Sequence, residues 1–189
     1  MTQIKFFIED LNRMLGKYKI RILHIWLSRA FWGIIIYRLE RSLYLLFPKV
    51  YGIMRIPFIP VFNLIQMYSN LDIHYKADIK GGLLVLHPSV GIVISGQAKI
   101  GKNLTLTGGN VIGAKRKTKK GEFEIGDNCN FGANATLIGP VVIANNISIG
   151  ASACVIKNCL NENPIANEFI SYLHKHIEIQ RLIPFKKTN

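Results

Sequence analysis

Two residues fifteen positions apart, Asp72 and His87, have the side chains and the spacing that acid–base chemistry would need. An imidazole titrates near neutral pH, so His87 could take up a proton and return it. A carboxylate that accepts from its other ring nitrogen would fix the tautomer and stabilise the imidazolium. The alternative is that Asp72 caps a turn and His87 is a polar corner residue. The sequence therefore predicts a catalytic pair, provided that the fold brings the two together.

A repeat of six residues surrounds this pair and predicts the scaffold that positions it. Large apolar residues recur at every sixth position in three runs, from Ile73 to Val85, from Ile94 to Ile112 and from Ile125 to Val155. This period fits short strands joined by tight turns, with one apolar residue of each strand pointing into a prism, as in a parallel β-helix of hexapeptide repeats. Since three hexads make a coil of about eighteen residues, Asp72 is expected close to one rung below His87.

The repeat slips in phase twice, and each slip predicts a loop. After Val85 the next apolar position comes nine residues later, and His87 lies inside this step. After Ile112 the step is thirteen residues and contains the basic stretch "AKRKTKKG" at 114–121. Insertions in a repeat scaffold become loops on one face and often carry function. The basic loop could bind a phosphate-bearing cofactor, and the alternative is a solvated loop.

The chain is expected to have three parts. These are a helical N-terminal region at 1–70, a β-helix domain at 71–160 with a loop at 114–124, and a C-terminal tail at 161–189 that contains a helix at 165–182.

The spacing of apolar residues predicts helices in the N-terminal region. Residues 3–19 predict one helix and 20–47 a second helical stretch, whereas Pro57 and Pro60 are expected to break 56–71 as a helix. The predicted apolar stripe of the first helix consists of Ile4, Phe7, Ile8, Leu11 and Leu15.

Charge composition bears on the partners of the protein. The chain carries 24 Lys and Arg against 11 Asp and Glu. In the N-terminal region the basic residues stand among large apolar ones, which suits peripheral contact with a membrane, while packing against the β-helix or a partner subunit is the alternative. No uninterrupted apolar run reaches the roughly 20 residues that span a bilayer. No helix-turn-helix, zinc-finger or RNP-type motif indicates nucleic acid.

The cysteines favour a cytoplasmic protein without a metal site. There are three, an odd number, and their spacing matches no zinc pattern. The N-terminus lacks the pattern of a cleavable signal peptide.

Residues 72–156 resemble the serine acetyltransferase group of hexapeptide-repeat acyltransferases. The likeness lies in the Asp-Ile-His opening, in the histidine fifteen residues after the aspartate, and in "AKIGKN" and "IGDNCNFGANATLIGPVVIANNISIGASACVI". The resemblance implies a mainly β fold, a left-handed β-helix, with a homotrimeric assembly. It also implies acetyl-CoA as the donor and O-acetylation of a hydroxyl group.

Position by position, the resemblance implies roles for five residues. Asp72 and His87 match the catalytic pair, and Ala133 matches an alanine whose backbone contacts the cofactor. Gly113 and Ala114 match backbone along the same groove. The charge of the basic loop, rather than the family pattern, adds groups that could pair with CoA phosphates: Lys115, Arg116, Lys117, Lys119 and Lys120.

The sequence departs from the family at the expected acceptor site. Leu86 stands where members that act on amino acids carry an acid, and loop 114–124 lacks their Arg-His pair. A buried serine needs partners for its ammonium and its carboxylate. We therefore expect a sugar hydroxyl in surface-polysaccharide synthesis as the acceptor, with serine O-acetylation in cysteine biosynthesis as the alternative. A non-catalytic trimeric scaffold is a further alternative, which is disfavoured because a β-helix core needs neither Asp72 nor His87.

Overall fold

The computed structural model describes residues 2–160, in which helices precede a parallel β-helix. The predicted tail at 161–189 and its helix at 165–182 lie outside these residues. The α-helices are α1 Thr2–Leu15, α2 Arg29–Leu46, α3 Tyr51–Met54 and α4 Ile59–Ser69. Short 3₁₀ helices lie at Lys19–Leu23, Ile25–Leu27, Ile56–Phe58 and Pro88–Val90. Within this part of the chain, no helix is both long enough and apolar enough to cross a membrane.

Short strands then wind into a left-handed β-helix. They are β1 Leu71–Ile73, β2 Asp78–Ile79, β3 Leu84–Val85, β4 Ile92–Ile94, β5 Lys99–Ile100, β6 Thr105–Leu106, β7 Asn110–Ala114, β8 Phe123–Ile125, β9 Asn130–Phe131, β10 Thr136–Gly139, β11 Val141–Ile143, β12 Ser148–Ile149 and β13 Cys154–Val155. They form three parallel sheets. The first has the order β1-β4-β7-β10-β13, the second β11-β8-β5-β2 and the third β12-β9-β6-β3.

The residues of the six-residue repeat form the interior of the prism, which confirms the predicted fold. Ile73 pairs with Ile94, and Ile94 pairs with Ile112, so that equivalent side chains stack from coil to coil. Every repeat residue is at most 5% exposed. The full set is Ile73, Ile79, Val85, Ile94, Ile100, Leu106, Ile112, Ile125, Phe131, Leu137, Ile143, Ile149 and Val155.

A ladder of asparagines stabilises one corner of the β-helix. Asn103, Asn128 and Asn146 have positive φ angles near 60°, a conformation that asparagine tolerates better than most residues. The Asn103 side-chain amide donates to Asn128 at 2.9 Å, and the Asn128 amide donates to Asn146 at 3.1 Å. The same asparagines thus form the turns with their backbone and connect successive coils with their side chains.

The N-terminal helices close the open end of the β-helix with a buried ion pair. The Arg38 Nε of α2 lies 2.8 Å from the Asp10 carboxylate of α1, and that carboxylate accepts from the Leu83 N–H at 2.7 Å. Arg38 also donates to the carbonyl oxygens of Ile79 and Lys80, at 2.6 and 2.8 Å. These backbone groups belong to the first coil and have no coil beneath them, so the helices supply their hydrogen bonds.

Two further side chains of α2 complete this cap. The buried Tyr37 hydroxyl donates to the Ala77 carbonyl at 2.9 Å and accepts from the Ile79 N–H at 3.3 Å. Arg41 donates to the Lys76 carbonyl at 2.9 Å. The first coil is therefore held by these polar groups as well as by Ala30 and Ile34 of α2, which belong to the same hydrophobic core.

This cap corrects part of the predicted stripe of the first helix, in which Leu15 is buried and Phe7 packs against the core as predicted. Ile4 and Ile8 are exposed, whereas Gln3 and Asp10 are buried. The stripe was wrong at Ile4 and Ile8 because part of the surface beneath α1 presents backbone N–H and C=O groups, which bind polar side chains better than apolar ones.

The helix bounds also differ from the prediction. The first helix ends at Leu15 rather than at 19. In the stretch 20–47 the α-helix begins only at Arg29, after two short 3₁₀ helices. Pro60 does not break the chain but lies in the first turn of α4, where its missing N–H costs no helical hydrogen bond.

We predict that Arg38→Met destabilises the protein by about 3–5 kcal/mol, because the substitution leaves Asp10 as an unpaired buried charge. Denaturation by urea, followed by circular dichroism at fixed protein concentration, measures the change. Arg21→Met is the matched control and should alter the free energy of unfolding by no more than about 0.5 kcal/mol, since Arg21 is exposed. Equal effects of the two substitutions would contradict the capping role.

Candidate functional site

The predicted catalytic pair lies on the first sheet and at the corner that leads into it. In β1 the side chains of Leu71 and Ile73 point inward, so the alternation of the strand turns Asp72 outward, where it is exposed. His87 follows β3 and begins the inserted turn Pro88–Val90. Its side chain is exposed, and its N–H donates to the Thr107 carbonyl of the next coil at 2.8 Å.

A groove of about 410 Å³ runs along the first sheet beside the inserted turn. Asp72 lies in its wall together with Val90 of the turn and Val93 of β4. Met67 of α4 lines the groove from the helical side. The groove thus combines one carboxylate with a mainly apolar wall.

Backbone and amide contacts tie the inserted turn to the strand of Asp72. The Asn70 amide donates to the Ser89 carbonyl at 3.3 Å, and the Ile92 N–H donates to the Asn70 carbonyl at 2.9 Å. Among the described residues no hydrogen bond joins Asp72 to His87, and catalytic hydrogen bonds are often long until substrate is bound. The structure brings Asp72 and the turn that starts at His87 to one groove.

His74, the other histidine near Asp72, has a turn role. Its Nδ1 accepts from the Lys76 N–H at 3.1 Å, and its ring stacks on Tyr75 with centroids 4.5 Å apart. Burial, with Lys76 and Arg55 nearby, lowers the pKa of His74 and keeps the ring neutral. Within residues 2–160 no group of three or more His, Cys, Asp or Glu side chains is arranged to hold a metal ion.

The basic loop joins β7 to β8. It follows the carboxyl end of a strand of the first sheet, whereas the turn after His87 precedes the amino end of one. Arg116 is engaged within the loop, because its Nη1 lies 3.1 Å from the Glu122 carboxylate. The Lys119 N–H donates to the same carboxylate at 3.0 Å, and this bond, together with Arg116, holds the pKa of Glu122 below its ordinary value. The side chains of four lysines remain exposed: Lys115, Lys117, Lys119 and Lys120. The loop thus presents these lysines together with Arg116, which is also exposed and lies next to Glu122.

The predicted cofactor residues lie at opposite ends of the strands of the first sheet. Gly113 and Ala114 end β7 and lead into the basic loop, whereas Ala133 lies at the corner between β9 and β10. The Ala133 carbonyl accepts from the Ser152 N–H at 2.7 Å. Ala133 thus precedes a strand of the first sheet, whereas the basic loop follows one.

Sequence reasoning missed the turn that supports His87. A Cβ atom added at Gly108, where φ is +144°, would lie 2.5 Å from the His87 carbonyl oxygen. Asn110 is fully buried and holds this turn, because its Oδ1 accepts from the Gly108 N–H at 2.9 Å and its amide donates to the Gly132 carbonyl at 2.7 Å. The signal was the "GGN" at 108–110, where two glycines and a polar residue occupy a corner.

Comparison with known proteins finds similarity among solved structures. The serine acetyltransferase of Neisseria gonorrhoeae matches with 24% identity and a TM-score of 0.66, over 84% of this chain and 60% of that one. The soybean enzyme matches with 23% identity and a TM-score of 0.67, over 85% of this chain and 64% of that one. Serine acetyltransferase isoform 3 of Entamoeba histolytica matches with 21% identity and a TM-score of 0.67, over 93% of this chain and 65% of that one.

These similarities show that the chain has the fold of serine acetyltransferases, a left-handed β-helix preceded by helices. The chain spans less than two thirds of the length of each of these three proteins. No family model and no curated sequence matches it.

We predict that Gly108→Ala destabilises the protein by about 1–3 kcal/mol and moves the His87 backbone, because the new methyl group meets the His87 carbonyl. Gly52→Ala is the control. Gly52 lies in α3 with open space around it, so the change should be neutral or stabilising by up to about 1 kcal/mol. Thermal unfolding and the NMR signal of the His87 N–H measure the two effects. An unshifted His87 signal in Gly108→Ala would show that the turn does not position it.

Proposed function

We propose that this protein is an O-acyltransferase that moves an acetyl group from acetyl-CoA to a hydroxyl group. The observation that carries the proposal is the groove on the first sheet, which is bordered by Asp72 and by the turn that begins at His87. The shared fold with serine acetyltransferases supports the same assignment.

In the proposed mechanism His87 moves the proton. Bound acetyl-CoA supplies an activated thioester. The exposed imidazole of His87 accepts the proton of the acceptor hydroxyl as the oxygen forms its bond to the acyl carbon. As the carbon–sulfur bond breaks, His87 returns that proton to the departing sulfur. Asp72 orients the ring and stabilises its charged form when the groove closes on substrate.

Serine is the acceptor that the comparisons favour. The solved structures that resemble this chain are serine acetyltransferases, and the Neisseria gonorrhoeae enzyme has also been solved in complex with serine. This similarity favours the serine alternative over the sugar hydroxyl that the sequence led us to expect.

A sugar hydroxyl remains the second candidate because of the residue beside His87. Leu86 is 49% exposed and offers no charge to the ammonium group of an amino acid. The groove wall formed by Met67, Val90 and Val93 is likewise apolar. An acceptor without charged groups would lose less on entering such a groove.

The basic loop fits the phosphates of acetyl-CoA. Its exposed lysines are point charges on flexible stems, which suits phosphate groups, and Arg116 is already paired with Glu122. The N–H of Ala133 and the backbone of Gly113 and Ala114 would hold uncharged parts of the same molecule.

Assembly as a homotrimer would unite these parts. The outer face of the first sheet is mainly apolar, with Val93, Val111 and Ile138 pointing outward alongside Asp72 and Thr136. The outer faces of the other two sheets carry Lys99 and Glu124, and Asn130 and Ser148. Packing of the apolar face against a neighbouring copy would let the Ala133 corner of one subunit approach the basic loop of another.

We predict that His87→Ala lowers kcat for acetyl transfer by roughly 10²–10⁴-fold, because the acceptor hydroxyl loses its general base. Asp72→Asn should lower kcat with little change in KM for acetyl-CoA. Release of free CoA thiol, measured with serine and with a panel of sugars, checks both variants and selects the acceptor.

His24→Ala is the matched control, since His24 is exposed and lies in the helical region. Wild-type turnover in His87→Ala would show that His87 is not the general base. If the wild-type protein acetylates neither serine nor any sugar, the hypothesis of a non-catalytic trimeric scaffold would be favoured.

We predict that Lys117→Gln combined with Lys119→Gln raises KM for acetyl-CoA by about three- to thirtyfold, because two exposed charge pairs with phosphate are lost. With acetylpantetheine, which lacks the nucleotide phosphates, the variant and the wild type should have the same KM. Steady-state kinetics with both donors measures the effect. An equal rise in KM for the two donors would mean that the loop does not bind phosphate.

A further inference from the structure

A segment between α1 and α2 carries the combination of basic and apolar residues that is typical of a membrane surface. We define the basic apolar segment as residues 17–29, "KYKIRILHIWLSR". It contains the 3₁₀ helices Lys19–Leu23 and Ile25–Leu27. Four of its thirteen residues are Lys or Arg, and Asp and Glu are absent from it.

The segment contacts α1 and α2, but none of the residues in its two 3₁₀ helices is buried. Leu23 is 72% exposed and Trp26 is 56% exposed. Tyr18, Ile20, Ile22 and Leu27 are also exposed. Apolar side chains grouped in this way are unfavourable in water and mark an interaction surface.

The tryptophan side chains present apolar rings rather than polar N–H groups. The Trp26 Nε1 donates to the Leu23 carbonyl at 3.0 Å, and the Trp32 Nε1 donates to the Trp26 carbonyl at 2.7 Å. Because the protein already satisfies both indole N–H groups, burial of the outer ring edges in an apolar environment leaves no polar group unpaired.

Charge around the segment favours an anionic partner. Between Asp10 and Asp72 the chain contains a single acidic residue, Glu40. Glu40 is buried and accepts from the Tyr51 hydroxyl and from Arg55. The surface formed by residues 11–71 therefore carries no exposed carboxylate, while Lys17, Lys19, Arg21 and Arg29 of the segment are exposed.

We propose that the basic apolar segment docks this protein on an anionic lipid bilayer, with Leu23, Trp26 and Leu27 in the interfacial region and the cations beside lipid phosphates. Interfacial binding of this kind depends on buried apolar area together with attraction to anionic lipid. A second copy of the chain is a poorer occupant, because symmetric pairing of this surface would place cations against cations.

The two tryptophans of the chain are Trp26 and Trp32, so fluorescence reports on the segment directly. We use Trp32→Phe to leave Trp26 as the sole reporter. Vesicles of phosphatidylcholine mixed with phosphatidylglycerol should shift the Trp26 emission to the blue and sediment the full chain, whereas vesicles of phosphatidylcholine alone should do so weakly. Raised salt should weaken the binding.

Charge and apolar variants separate the two contributions. Lys19→Gln combined with Arg21→Gln should weaken vesicle binding by about thirtyfold, since each cation near an anionic surface contributes about a factor of five. Leu23→Ser combined with Leu27→Ser should weaken it by about tenfold or more. The matched control, Lys102→Gln with Lys157→Gln, removes the same charge from exposed positions of the β-helix and should leave binding within about twofold.

Three results would overturn the proposal. The first is the absence of wild-type binding to anionic vesicles. The second is an equal loss in the control and the segment variants, which would indicate binding through net charge. The third is a fall in oligomer mass of the Leu23→Ser, Leu27→Ser variant by light scattering, which would identify the segment as a subunit contact. Circular dichroism should show native folding in every variant, since the segment buries no residue in its 3₁₀ helices.

Discussion

The buried ion pair between Asp10 and Arg38 is the contact on which the beginning of the β-helix depends. Each coil of a β-helix satisfies its backbone groups on its neighbours, but the first coil has a neighbour on one side only. Asp10 and Arg38 bind the unpaired N–H and C=O groups of that coil, and each neutralises the charge of the other. Neither residue could be buried at this position alone. The helices are thus an integral part of the fold rather than an appendage.

A well-anchored scaffold allows the site to be built from irregularities. The repeat must keep its register where side chains stack in the prism, yet an insertion at a corner changes only the surface. The turn after His87 and the loop after Ala114 are such insertions. The turn precedes a strand of the first sheet and the loop follows one. The sheet between them carries Asp72 and an apolar outer face. The proposed chemistry therefore lies where the repeat is interrupted, and the repeat itself keeps these loops in position.

The sequence predicted the β-helix well because its signal is local. An apolar residue every six positions reports directly on the prism, and the positions from Ile73 to Val155 are buried as predicted. The helices were harder, since their buried face depends on what lies beneath them. Asp and Arg are residue types that mostly lie on the surface, and no periodicity shows that Asp10 and Arg38 meet backbone groups of a distant coil. The support of His87 by Gly108 and Asn110 was missed for a similar reason, because it joins two successive coils.

The same cap accounts for the unusual surface of the helical region. A helix that packs on a core normally turns its apolar side inward, but α1 and α2 also bury Asp10, Arg38 and Arg41 because the coil below requires hydrogen bonds. Ala30 and Ile34 still face the core, but other apolar residues of these helices, Ile4, Ile8 and Leu39 among them, are exposed. This arrangement leaves apolar area in water, which is unfavourable unless another surface covers it. The polar cap and the exposed apolar surface are therefore two consequences of one constraint, the unpaired edge of the first coil.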